Sequence, residues 1–114
     1  MLWYSSMTGE DMEMKKMTAE KNDLPVPVII EPVEGAKVGR SLTISGAAKP
    51  ALKGDILQVF DVAGGLLFQV GIITTGQWSG VVRNLAPGAH GVVAKLVRAG
   101  QPSIDSAVRN FIVE

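Results

Sequence analysis

The segment Gly76-Gln77-Trp78-Ser79, with Leu85-Ala86-Pro87-Gly88-Ala89-His90 shortly after it, joins turn-forming residues to an alternating strand pattern. Gly76 can adopt the positive φ angle that a tight hairpin requires. Beyond it, Trp78 and Val82 share one face of an extended chain, because successive side chains of a strand point to opposite faces. The pattern predicts a β-strand that buries Trp78; the alternative is an exposed Trp78 that stacks on a sugar.

Six more strands are predicted around this one, each bounded by glycine, proline or polar turn residues. The seven predicted strands run from Val26 to Glu31, Ser41 to Ala47, Asp55 to Val62, Leu66 to Ile73, Gln77 to Arg83, Gly88 to Arg98 and Ser103 to Val113. The sequence between them shows no helical period longer than a turn or two, which argues against parallel βαβ topology. The pattern therefore favours an all-β fold, a seven-stranded antiparallel β-sandwich.

The composition divides the chain into two regions. All five methionines lie in residues 1–24, whereas twelve of the thirteen glycines lie in residues 25–114. We expect the first region to be a Met-rich polar leader or linker and the second to be a single sandwich domain. Thr8 and Asp11 have the spacing of a capping box, so the leader is predicted to be either flexible or a short helix that docks on another surface.

The charge balance excludes several classes of function. Eleven basic and eleven acidic residues cancel, and neither sign forms a long run, so binding to nucleic acid or to an anionic membrane is not predicted. No stretch approaches the ~20 apolar residues of a membrane span, and the N-terminus lacks the pattern of a secretory signal. Cysteine is absent, which excludes thiol catalysis and thiolate metal sites and leaves the redox compartment open.

Five short motifs occur in a fixed order along residues 27–114. They are Pro32 to Val38, Leu42 to Gly46, Gly76 to Ser79, Leu85 to His90 and Phe111 to Val113. Together they resemble the bacterial immunoglobulin-like (Big-type) repeats of large surface proteins and adhesins. The resemblance implies an immunoglobulin-like Greek-key sandwich, a location outside the cell or on its surface, and a scaffold rather than a particular ligand.

The strand alternation and the repeat register together define a predicted core. Its members are Leu42, Ile44, Leu57, Val59, Trp78, Val82, Leu85, Val92, Leu96 and Phe111. The same register points Arg109 inward, which requires either a bulge near Asn110 or a position at the rim of the sandwich.

One predicted sheet face carries more apolar residues than a solvated face should. Ile56 and Phe60 point outward, and the next strand adds Leu66, Leu67, Ile72 and Ile73. This patch either marks an interface, is covered by the leader, or is removed by a one-residue bulge that changes the register.

No catalytic, metal or cofactor site is predicted. His90 is the only histidine, and its register places it at the rim of the core in a structural role. The sequence contains no Gly-x-Ser-x-Gly, His-Glu-x-x-His or paired-carboxylate motif. Asp55, Asp61 and Asp105 are scattered, without the density of oxygen ligands that calcium requires, and are interpreted as turn residues.

These observations predict a non-catalytic structural or interaction module of a bacterial surface or secreted protein, either a spacer or an adhesion domain. Its partners would be neighbouring domains or another protein, with a weak homodimer through the apolar sheet face at Phe60. One alternative is a receptor module for a glycan or protein, with a shallow site at the loop ends formed by Gln77, Arg83, Asn84 or Gln101. A second alternative is an accessory domain of a larger enzyme.

Overall fold

The computed structural model describes residues 24–114, so the predicted leader lies outside the described residues except for Leu24. These residues form nine β-strands and no helix. The strands are β1 (Val28–Glu31), β2 (Ala36–Val38), β3 (Leu42–Ala47), β4 (Ile56–Asp61), β5 (Leu66–Gly71), β6 (Gln77–Val82), β7 (Gly88–Arg98), β8 (Gln101–Pro102) and β9 (Arg109–Val113). This part of the chain contains no helix long and apolar enough to cross a membrane.

The strands form two sheets that pack face to face. The smaller sheet has the order β1-β3-β6, and the larger one has the order β2-β9-β7-β4-β5, with β8 added beside β7. Neighbouring strands are antiparallel except β2 and β9, which are parallel. The predicted all-β sandwich is confirmed.

The predicted number of seven strands is wrong, because the sequence pattern does not predict β2 and β8. β2 has three residues and β8 has two, and such short segments show no recognisable alternation. β2 lies within the motif Pro32 to Val38, between the first two predicted strands. Its parallel pairing with β9 also departs from the expected antiparallel arrangement.

The core lies between the inner faces of the two sheets. Nine of the ten predicted core side chains are at most 8% exposed; they are Ile44, Leu57, Val59, Trp78, Val82, Leu85, Val92, Leu96 and Phe111. Leu42 is only partly buried, because it pairs with Val82 at the last position of the β3–β6 ladder. The core also contains Leu24, Ile29, Ala48, Ala51, Ile72, Ala94 and Val113.

Two glycines make room for aromatic rings in this core. A Cβ atom on Gly46 would collide with the carbonyl oxygen of Val28 and with the indole of Trp78. A Cβ atom on Gly80 would collide with the ring of Phe68. Both rings therefore lie directly on bare backbone. Trp78 is 4% exposed, so the sugar-stacking alternative is wrong.

Two serines connect β8 to β9 along the edge of β7. The backbone N–H of Ser103 donates to the Leu96 carbonyl over 2.7 Å, and the Leu96 N–H donates to the Ser103 hydroxyl over 2.9 Å. Ser106 makes the same pair of hydrogen bonds with Ala94, both at 2.9 Å. Three residues of this segment thus pass two residues of β7, which is the geometry of a bulge. The last predicted strand is therefore regular only within β9.

Candidate interaction surfaces

The connections between strands gather at two opposite ends of the sandwich. The first end holds the β3–β4, β5–β6 and β7–β8 connections, and the second end holds the β4–β5 and β6–β7 connections. Gln77 and Gln101 are exposed at the first end, whereas Arg83 and Asn84 are exposed at the second. The structure therefore does not bring the predicted loop residues into one site. Gln77 and Arg83 flank the same strand, which separates them by about 20 Å.

At the first end, Asp55 holds three segments together. Arg98 donates to it from Nε over 3.0 Å and from Nη2 over 2.8 Å, and the Leu52 N–H donates to Oδ2 over 2.8 Å. Arg98 also donates to the Pro50 carbonyl over 3.2 Å. The hydrogen bonds from Arg98 hold the pKa of Asp55 below its ordinary value. Asp55 is thus a buried ion-pair partner rather than the solvated turn residue that the sequence suggests.

At the second end, His90 joins two connections. Its Nε2 lies 2.7 Å from the Ala86 carbonyl oxygen, and its Nδ1 lies 3.2 Å from Oδ2 of Asp61. The ring stacks on Phe111 with 5.8 Å between centroids. Both partner oxygens can only accept, so both ring nitrogens donate when His90 is protonated. The hydrogen bond to Ala86, reinforced by Asp61, raises the pKa of His90 above its ordinary value.

This arrangement predicts a pH dependence of stability. The folded-state pKa of His90 is raised, so its contribution is fully present below the unfolded pKa of about 6.5 and is lost as the pH rises through the folded pKa. We expect His90→Gln to lower the free energy of unfolding at acidic pH by about 1–2 kcal/mol. The decrease in stability between acidic and neutral pH that His90 causes should then be absent. Urea unfolding of both proteins across this pH range measures it. Parallel pH profiles for the two proteins would contradict the assignment.

Arg109 lies at the rim of the sandwich, which is one of the two positions that the predicted inward direction of its side chain allows. Its Nη1 donates to the Pro32 carbonyl over 2.8 Å, and its Nε lies 3.7 Å from Oε1 of Glu34. Glu34 also accepts from the backbone N–H and the side-chain amide of Asn110, each at 3.0 Å. These contacts fasten the crossover between β1 and β2 to β9.

The three candidate aspartates lie in different places. Asp55 and Asp61 belong to the two clusters described above, and Asp105 lies 3.4 Å from the ammonium group of Lys95. Residues 24–114 contain no group of three or more His, Asp or Glu side chains that could hold a metal ion. The ionisable side chains at both ends thus connect segments of the fold to one another.

The outer face of the larger sheet is less apolar than the sequence predicts. Ile72 is buried, and Leu67 packs against the core beside a bulge in β5. Leu66 and Ile73 remain about half exposed. The ring of Phe60 is partly buried and lies 5.3 Å from the ammonium group of Lys95. Ile72 and Leu67 thus leave the predicted apolar face, whereas Ile56 and Phe60 remain on it, paired with Val97 and Val93.

The outer face of the smaller sheet forms a shallow open groove, which we call the outer groove. Its volume is about 630 Å³. The side chains that line it include Ile30, Ser45, Ala47, Lys49, Ile73, Gln77 and Ser79. Of the predicted ligand residues, Gln77 lies in this groove.

Known structures identify the fold. The chain is similar to the fibronectin(III)-like modules of Clostridium thermocellum CbhA, with a TM-score of 0.62 and 21% sequence identity over 77% of this chain and 94% of that chain. The fold is fibronectin III-like. No protein-family model and no curated protein matches the sequence, so the fibronectin III-like assignment concerns the fold alone.

The fibronectin III-like sandwich is also similar to parts of larger chains. One is the BSP domain of a biofilm-associated protein, with a TM-score of 0.52 and 18% identity over 80% of this chain and 14% of that chain. Another is a lytic polysaccharide monooxygenase of Jonesia denitrificans, with a TM-score of 0.56 and 12% identity over 73% of this chain and 60% of that chain.

Proposed function

We propose that this chain is a non-catalytic spacer module of a bacterial surface or secreted protein, of the Big-type repeat kind. The observation that carries the proposal is the position of its two ends. Val28 opens β1 opposite Ala47 at the first end, and Val113 closes β9 opposite Gly88 at the second. A module that the chain enters at one end and leaves at the other extends a protein along its own long axis.

The length of the module follows from β7, which runs between the two ends. Its eleven residues, at about 3.3 Å each, span roughly 36 Å. Repeats of such a module would add about this length each. The charged side chains support the same role, since Asp55, Arg98, His90 and Arg109 fasten connections and edges rather than converge on a cleft.

The pairing of the terminal strands suits a chain under tension. β2 and β9 are parallel, so a pull on the N-terminal side toward the first end and on the C-terminal side toward the second slides them along each other. The force then acts on all hydrogen bonds between β2 and β9 at the same time. Antiparallel pairing of β1 with β3 adds a second ladder near the same entry point.

Single-molecule pulling tests the spacer proposal. Because the chain has no cysteine, Val26→Cys with Glu114→Cys places handles at opposite ends, and Gly64→Cys with Pro87→Cys places both at the second end. We expect a clearly higher unfolding force with the first pair, since the second pair opens hydrogen bonds one after another. Equal forces from both pairs would contradict a load-bearing spacer.

A receptor module for a protein or glycan is the second candidate, outside the cell or on its surface like the first. The outer groove supports it, because Gln77 and Ser79 lie there beside open space. This candidate predicts that Gln77→Ala weakens binding of a ligand and leaves the unfolding force unchanged. The remaining alternative is an accessory domain of a larger enzyme. It is supported only by a similar fold in the lytic polysaccharide monooxygenase, at 12% identity.

A further inference from the structure

Within residues 24–114 the sheets have open edges at β1, β2, β5, β6 and the two-residue, proline-containing β8, and all of them except β6 carry features that hinder pairing with another chain. β1 is flanked by Pro27 and Pro32 and contains a bulge after Ile29. β2 has only three residues and includes Lys37. β5 is interrupted by a bulge at Leu67. These are the devices that natural sheets use to prevent association along their edges.

β6 lacks all of these features. Its six residues, Gln77–Val82, include no charged residue and no proline. Its register with β3 is unbroken from Leu42 opposite Val82 to Ala47 opposite Gln77. A straight, uncharged edge of this length is open to the addition of another strand.

The hydrogen-bond pattern shows which groups of β6 are available. The Ala48 N–H donates to the Gly76 carbonyl over 2.7 Å, which makes this pair a hydrogen-bonded one. Because hydrogen-bonded pairs recur at every second residue of an antiparallel ladder, Trp78, Gly80 and Val82 bond to β3. The N–H and C=O groups of the alternate residues point away from β3, in the plane of the sheet.

These alternate residues are Gln77, Ser79 and Val81, and all three are exposed. Within residues 24–114, no backbone or side-chain hydrogen bond from outside the β3–β6 ladder reaches their backbone groups. β5 of the other sheet lies close to β6 at this corner of the sandwich, but it forms no hydrogen bond with these groups. The edge therefore presents three donors and three acceptors at a regular spacing.

We propose that a second copy of this chain pairs with β6 in antiparallel orientation, about a two-fold axis through Ser79. In this register Ser79 faces Ser79 of the second copy, and Gln77 faces Val81 in both directions. In each copy the backbone N–H and C=O groups of these three residues point toward the other copy. The pairing therefore forms six backbone hydrogen bonds from groups that are otherwise free. The result is a continuous six-stranded sheet across the two copies.

The self-complementary register favours a second copy as the occupant, and charge does not oppose it. The chain has a formal net charge of zero, and the two-fold register opposes Arg83 with Thr75 of the other copy rather than with a second arginine. Side-chain contacts on the outer face also stabilise the pairing, because Val81 is 51% exposed in the single chain and acquires a cross-strand neighbour in the dimer. The interface is isologous, so it closes at two copies and does not propagate through β6.

Sedimentation of the full chain over a wide range of concentration tests the proposal. We expect a concentration-dependent dimer, and Ser79→Lys should weaken it about tenfold, because it places two like charges directly opposite each other across the paired strands. The matched control is Thr43→Lys, which puts the same charge on the same exposed face but on the central strand β3. This control should leave the dimer unchanged.

Amide hydrogen exchange locates the interface. At high concentration the N–H groups of Gln77, Ser79 and Val81 should become protected, while those of Gln69 and Gly71 at the β5 edge stay exposed. A wild-type chain that is monomeric throughout, equal weakening by both lysine variants, or protection at β5 instead of β6 would each overturn the proposal. The pulling experiment uses a single chain, so its outcome is independent of this one.

Discussion

Replacing Trp78 by alanine is expected to lower the free energy of unfolding by about 3–5 kcal/mol, as measured by urea unfolding. The indole is 4% exposed and lies on the bare backbone of Gly46, which is itself enclosed by the Val28 carbonyl. The neighbouring strands are fixed by their ladders, so the chain cannot collapse into the space that the ring leaves. The loss therefore includes a cavity cost in addition to the lost burial.

Two further variants separate ring packing from other effects of Trp78. Trp78→Phe should cost less than Trp78→Ala, because the phenyl ring fills part of the space and removes an indole Nε1 that has no hydrogen-bond partner among the described residues. Gly46→Ala should be strongly destabilising although it adds only one methyl group, because that methyl collides with backbone as well as with the indole. A Trp78→Ala protein as stable as the wild type would show that the ring is not a core residue.

Replacing Arg98 by methionine is the second change with a large expected effect, a loss of about 3–5 kcal/mol at neutral pH. Asp55 is 2% exposed and receives two hydrogen bonds from this guanidinium group. Without Arg98 the carboxylate stays buried with a single remaining donor, the Leu52 N–H. The double variant Asp55→Asn with Arg98→Met should be more stable than Arg98→Met alone, because no uncompensated charge remains.

The pH profile provides an independent check of this ion pair. The folded-state pKa of Asp55 is lowered, so its contribution is present above the unfolded pKa of about 3.9 and is lost as the pH falls through the folded pKa. The difference in stability between the wild type and Arg98→Met should therefore shrink in acid. A difference that stays constant down to strongly acidic pH would contradict a charged Asp55.

Strand patterning predicted most of the core, because alternation depends on local sequence alone. Ile44, Leu57 and Val59 are fully buried where the alternation places them. Local sequence was less informative where the chain departs from a period of two. The segment from Ser103 to Ser106 reads as a strand but is bulged, and the three-residue spacing of its serines is the signal that could have indicated this.

The partners of ionisable groups were not predictable in the same way. His90 and Asp61 are 29 residues apart, and Arg98 and Asp55 are 43 residues apart. Only the sheet order brings each pair to the same end of the sandwich. The division of the loop-end residues between two ends could be predicted, since Gln77 and Arg83 lie at opposite ends of one predicted strand.

The sequence by itself determined that this chain is an all-β sandwich with Trp78 inside, because apolar alternation and glycine-containing turns act over a few residues. The tertiary structure decided how the strands are ordered, and with it the parallel pairing of β2 with β9, the ion pair of Asp55 and the free edge of β6. These features depend on contacts between residues far apart in the chain, and no local pattern encodes which strand becomes the neighbour of another.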